Sequence, residues 1–115
     1  MLFRSQGRNE SAETILADAI ALEKAGCFAI VLEMVPAELA ERITKSISIP
    51  TIGIGAGPKC DAQVLVWNDM MGLTEKAPRF ARKYRNLRQE MSAAVREWIG
   101  DVESGAFPGE SETFH

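Results

Sequence analysis

The feature that most constrains this chain is a continuous apolar run, Cys27-Phe28-Ala29-Ile30-Val31-Leu32, which starts directly after Gly26 and ends on the carboxylate of Glu33. A run this short and uniform suits a strand buried on both faces, and such strands belong to parallel sheets covered by helices. The flanking segments agree. From about Ser11 to Ala25, the residues Ala12, Ile15, Leu16, Ala19 and Leu22 recur at three- and four-residue steps, with Ser11 placed to cap a helix and Gly26 to stop it. Pro36 suits the first position of a second helix, where its missing N–H costs nothing. Leu39, Ala40, Ile43 and Ile47 give that helix an apolar stripe, and Glu38, Glu41, Arg42 and Lys45 its wet side. Ile49-Pro50 forces an extended entry into a second strand, Thr51 to Gly55, and Gln63 to Trp67 reads as a third. The order helix, strand, helix, strand, strand predicts an α/β fold with a parallel sheet.

The last third has a different rhythm. From Pro78, the residues Phe80, Tyr84, Leu87, Met91, Val95, Trp98 and Val102 keep helical spacing, which predicts a long amphipathic helix or two helices with a break. Residues 105–115 are turn-rich and read as a loosely ordered tail behind a domain of residues 1–104. With 115 residues there is room for one domain, and a complete (β/α)₈ barrel, which needs roughly 250 residues, cannot come from a single copy. The 13 basic and 16 acidic residues leave a net charge of −3, which argues against binding nucleic acid through bulk electrostatics. No stretch reaches the roughly 18 apolar residues of a membrane span, and no secretory signal opens the chain. Two widely spaced cysteines, Cys27 and Cys60, point to free thiols in a reducing cytoplasm. A single His and no CxxC pair leave no basis for a zinc site.

Glu33 is the foremost candidate for chemistry. A carboxylate at the end of an apolar strand is costly to place unless it is paired or used, and in α/β folds ligands bind at the C-terminal ends of strands. That position suits a general base, although leaving the strand into solvent would also account for it. Gly53, Gly55 and Gly57 form G-x-G-x-G after the second strand, where glycines admit close approach and free N–H groups can cradle an anion. Tight strand-end geometry explains the same pattern. Asp61 and Asp69 flank the third strand and fit either a polar site or plain surface loops. Arg79, Arg82, Lys83, Arg85 and Arg88 fit the solvated side of the long helix. His115 is terminal and carries no assignment, Cys27 reads as a small core residue, and Cys60 as a loop thiol.

Three stretches together resemble the ketopantoate hydroxymethyltransferase (3-methyl-2-oxobutanoate hydroxymethyltransferase) family. They are Val31-Leu32-Glu33-Met34-Val35-Pro36, Ile49 to Gly57, and Cys60 to Val66, and the opening Phe3-Arg4-Ser5-Gln6-Gly7-Arg8 and closing Phe107-Pro108-Gly109 are similar as well. The resemblance implies the C-terminal part of a (β/α)₈ TIM barrel, with about three strands, flanking helices and a long C-terminal helix, in a cytoplasmic homo-oligomer. It implies transfer of a hydroxymethyl group from 5,10-methylenetetrahydrofolate to 2-oxoisovalerate, giving ketopantoate for pantothenate and coenzyme A synthesis. It further implies a Mg²⁺ that chelates the keto acid, with its acidic ligands in the first half of the barrel, outside this chain. Glu33 matches the family's proton acceptor, and Gly55 and Gly57 fall where backbone could touch substrate. The sequence departs from the family at Asn68, commonly histidine, at Ala62, commonly glycine, and at Ser5, typically aliphatic. The expectation is a truncated or split form, inactive unless an N-terminal barrel half complements it. The rival expectations are a non-catalytic assembly or relic module and, third, an independent anion-binding α/β domain using Gly53 to Gly57.

Overall fold

A computed structural model describes residues 2–4 and 10–115, with side chains from Ser11 onward. The opening motif around Ser5 to Arg8, including the Ser5 departure, lies outside the described residues. The chain forms two compact units that divide between Leu65 and Val66. In the first unit β1 (Leu2–Arg4), β2 (Ile30–Glu33), β3 (Thr51–Ile54) and β4 (Ala62–Gln63) form one parallel sheet in sequence order, with α1 (Glu10–Lys24) between β1 and β2 and α2 (Ala37–Ser46) between β2 and β3. The expected α/β class with a parallel sheet is what the structure has.

Alternation along the strands sorts their two faces. Ile30 and Leu32 of β2 are fully buried and cluster with Ile15 and Ala19 of α1 and with Leu39, Ala40 and Ile43 of α2. Burying each such aliphatic side chain stabilises by roughly 1.5–3 kcal/mol. Val31, Glu33, Ile52 and Ile54 occupy the alternate positions and are half-buried, on the sheet face turned away from that cluster. The helix ends are tied by side chains as well. The Glu23 carboxylate accepts from the Ser48 N–H at 2.6 Å, the Ser48 hydroxyl at 2.8 Å and the Ile49 N–H at 3.1 Å, fastening the end of α1 to the turn before β3. Those donors hold its carboxyl below the usual glutamate range, the Ser48 backbone N–H most of all.

Several boundaries differ from the sequence expectation, each for a local reason. Helix α1 begins at Glu10, so Ser11 stands in its first turn instead of capping it. Strand β2 starts at Ile30, where its N–H meets the Pro50 carbonyl at 3.0 Å. Before that, the Cys27 N–H is spent on Leu22 of α1, and Phe28 is 89% exposed. Pro36 is the N-cap of α2, its extended ψ of 139° placing it just outside the helix. The third strand is only Ala62–Gln63, because its register against Ile52 and Gly53 leaves β3 almost no further length to pair with. Val66 and Trp67 leave the sheet, and α3 (Trp67–Met70) opens the second unit.

In that unit the long helix, α4, runs from Leu87 to Ser104, not from Pro78. Residues 78–86 are not helical, because their neighbouring donors are used elsewhere. The N–H groups of Tyr84, Leu87 and Arg88 bond to the carbonyls of Met70, Met71 and Gly72 at 2.8, 3.0 and 3.2 Å. Gly72 has φ +74°, and a side chain there would collide with the Arg85 carbonyl. The tail expected to be loose folds back on α4: the Phe107 N–H reaches the Asp101 carbonyl at 3.0 Å, and the Phe107 ring meets Trp98 edge-on at 6.3 Å. A 3₁₀ turn follows, α5 (Glu110–Glu112), with the Gly109 N–H donating to the Glu112 carboxylate at 2.8 Å.

Candidate active site

Glu33 is the last residue of β2, on the face away from the helices, and therefore at the carboxyl end of a parallel sheet. Its register neighbours are Arg4 on β1 and Ile54 on β3. The Met34 N–H still completes the ladder to the Ile54 carbonyl at 2.9 Å, and then the strand ends abruptly.

The ending is unusual. Met34 has φ +56°, the one left-handed residue other than glycine among the described residues. A non-glycine side chain pays of order 1 kcal/mol or more for this conformation. The kink slips the strand's alternation by one: Met34, which should turn toward the helices, is 49% exposed, while Val35 goes into the core at 1% exposure. Without the slip, Val35 would follow Glu33 onto the same face and stand over the carboxylate. Strand β3 ends the same way. Ile54 is level with Glu33, Gly55 has φ +68°, and Ala56 is fully buried. Two adjacent strands thus stop at one level, with an aliphatic side chain and a carboxylate as their last residues on the open face. Sequence reading missed Met34, since nothing in its residue type signals a left-handed backbone; only the match with Gly55 across the register shows it.

The other candidates separate. Gly57 has φ +80°, and a Cβ there would stand 2.6 Å from the Ala37 Cβ at the start of α2, so this glycine lets the loop after β3 lie against that helix. A Cβ on Gly53 would press on the Cys60 sulfur at 2.9 Å. Asp61 is a strand-start fastener: its carboxylate accepts the Thr51 N–H at 2.9 Å, and its own N–H donates to the Thr51 hydroxyl at 3.1 Å. The Thr44 hydroxyl lies 2.8 Å from the Thr51 hydroxyl and gives its proton to the Ala40 carbonyl. This network sits at the amino end of β3, the end opposite Glu33. Burial pushes the Cys60 thiol above its ordinary range, which makes it a poor nucleophile. Asp69 lies in α3, is 7% exposed, and belongs to the second unit. Of the basic cluster only Arg88 is on α4, paired loosely with Glu75 at 3.6 Å, while Arg82 lies 5.8 Å over the Tyr84 ring. Among the described residues, no group of three or more His, Cys, Asp or Glu could hold a metal ion, and no helix is long and apolar enough to cross a membrane.

The structure is thus a parallel α/β sheet that carries a carboxylate to its strand tips, on the face that α1 and α2 leave free. Comparison with known proteins then narrows the class. Residues 2–110 match the family model described as ketopantoate hydroxymethyltransferase, and the chain belongs to that family. It is 55% identical over 113 residues to the 3-methyl-2-oxobutanoate hydroxymethyltransferase of Mycobacterium ulcerans, covering 97% of this chain and 38% of that protein. It is 55% identical to the protein of the same name from Geotalea uraniireducens, covering 98% and 43% of the two lengths. A Streptomyces avermitilis relative of that name is 53% identical, with 41% of its length covered. The chain thus spans about two-fifths of the curated relatives it matches, an extent consistent with a C-terminal portion.

Proposed function

We propose that this chain is the C-terminal, proton-accepting part of a (β/α)₈-barrel 3-methyl-2-oxobutanoate hydroxymethyltransferase, inactive until an N-terminal barrel half completes it. The single observation behind this reading is the placement of Glu33: last on its strand, on the open face, at the carboxyl end of the sheet. In a completed barrel that face is the interior and that end is the mouth where active sites form. The reaction asks little else of this chain. The Glu33 carboxylate takes the C3 proton of 2-oxoisovalerate, and the electron pair left behind forms the enolate. The enolate carbon bonds to the one-carbon unit of 5,10-methylenetetrahydrofolate, and with water consumed the products are ketopantoate and tetrahydrofolate. Glu33 can then return its proton.

Met34 and Gly55 adopt left-handed backbone directly after Glu33 and Ile54, and Gly55 and Gly57 present backbone near the same strand ends. By the family resemblance the Mg²⁺ ligands lie in the N-terminal barrel half, where the metal would polarise the keto acid, and no step here passes through it. The cytoplasm and a homo-oligomer fit the family, as does the absence of a nucleic-acid or membrane role.

The test is complementation. The chain is mixed with the N-terminal portion of the Mycobacterium ulcerans relative, and ketopantoate formation is followed with 2-oxoisovalerate, Mg²⁺ and the folate donor. Product only in the mixture is the expected result. Product from neither the mixture nor the chain alone would favour the non-catalytic module, whose motivation is the unpaired strand edges and apolar face that half a barrel leaves.

A further inference from the structure

Ile30 and Leu32 of β2 are fully buried, and so, to within 1%, is Val35. Strict alternation cannot bury all three, because Leu32 and Val35 stand three residues apart. The alternation must slip once between them, and the place of the slip decides which face Glu33 takes. A slip before Glu33 would turn its carboxylate in among the core side chains. A slip after it leaves the carboxylate on the open face. The same conflict recurs in β3, where Thr51 and Gly53 are buried and so is Ala56, three residues beyond Gly53. Both slips fall at one level, on Met34 and Gly55, directly after the register partners Glu33 and Ile54. Gly55 takes its φ of +68° without steric cost, whereas Met34 takes +56° against its own Cβ. It is held there by the bond from its N–H to the Ile54 carbonyl at 2.9 Å and by the burial of Val35.

We propose that the left-handed backbone of Met34 assigns Glu33 its face, which makes Met34 a positioning residue for the proton acceptor. This rests on the reading of Glu33 given above and adds the element that aims it. The requirement falls on the backbone and not on the thioether: a residue that accepts a positive φ can serve, and a β-branched one cannot. An extended residue 34 would point its side chain toward the helices and bring Val35 to the open face beside Glu33. With Val35 kept in the core instead, the slip would move back and carry Glu33 inward. Misplacing a reacting group by about 1 Å costs up to about 100-fold in rate, so the loss falls on turnover more than on substrate binding.

Two measurements test it. In the full chain alone, NMR should find Met34 at positive φ and the Glu33 side-chain protons close to those of Ile54. Met34→Asn and Met34→Gly should keep both features, and Met34→Val should lose both. In the full chain mixed with the N-terminal portion of the Mycobacterium ulcerans relative, exchange of the C3 proton of 2-oxoisovalerate separates kcat from KM. Met34→Asn and Met34→Gly should stay within about threefold of the wild type in kcat, while Met34→Val should fall about tenfold or more with KM nearly unchanged. Ile43→Val, a core change in α2 with a stability cost of its own, should leave kcat per folded chain unchanged. An extended Met34 in the wild type, or a folded Met34→Val with wild-type kcat beside an inactive Glu33→Gln, would overturn the positioning role alone. No exchange by the wild-type mixture, or equal exchange by Glu33→Gln, would instead overturn the reading of Glu33 and leave no acceptor for Met34 to place.

Discussion

In the unit up to Leu65, Ile30, Leu32, Leu39 and Ile43 are enclosed between a parallel sheet and two helices, whereas in the unit from Val66 onward Met91, Val95, Trp98 and Val102 of an 18-residue helix stay about half exposed. The two regions have similarly periodic sequences. What separates them is the supply of partners: α1 and α2 each flank strands of their own unit, while among the described residues the unit that holds α4 contains no strand. Amphipathic spacing therefore predicts that a helix has a side to bury, and leaves open what will cover it.

The largest expected effect sharpens that contrast. Leu32→Ala opens a cavity in an enclosed cluster and should cost about 2–5 kcal/mol. Val95→Ala, measured in dilute monomer by the same denaturant titration, should cost less than about 1 kcal/mol. Similar costs at the two positions would show that α4 already has a cover within one chain. A smaller effect is expected at the strand end. Met34→Val forces a β-branched residue into the left-handed region and should lose about 1–3 kcal/mol, while Met34→Gly should lie within about 1 kcal/mol of the wild type. If both variants behaved alike, the kink would not be a fixed part of the native backbone.

The smallest effect concerns pH and confines itself to the first unit. The folded Glu23 carboxyl titrates below its unfolded range, so its stabilising contribution is present above the unfolded value, about pH 4.3, and is lost as pH falls through the folded one. Glu23→Gln should lower Tm near neutral pH, with the gap closing in acid. A gap that does not change with pH would show that the carboxylate's charge is not what holds Ser48 and Ile49.

Much of this was legible in the residues because it is local. Leu39, Ala40 and Ile43 share one helix that Ile47 caps, and their stripe is the buried one. Glu33 stood out because a carboxylate ending a greasy run is costly wherever it lands, and the structure puts it at the strand tip. The misreadings came from distant partners. Cys27 to Ala29 look like strand, but the ladder starts only where Pro50 offers a carbonyl. Phe80 and Tyr84 keep helical spacing, yet the donors of Tyr84, Leu87 and Arg88 bond to Met70, Met71 and Gly72, far back along the chain. The shared level of Met34 and Gly55 needs the register of two strands, which no single stretch of sequence carries.

One measurement bears directly on the carboxylate at the strand tip. The chain complemented by an N-terminal portion is given 2-oxoisovalerate and Mg²⁺ in deuterium oxide, without the folate donor, and loss of the C3 proton is followed by NMR. The wild-type mixture should exchange the proton, and Glu33→Gln should do so at a rate lower by about 100-fold or more. Equal exchange by the two would contradict it, because another group would then be removing the proton.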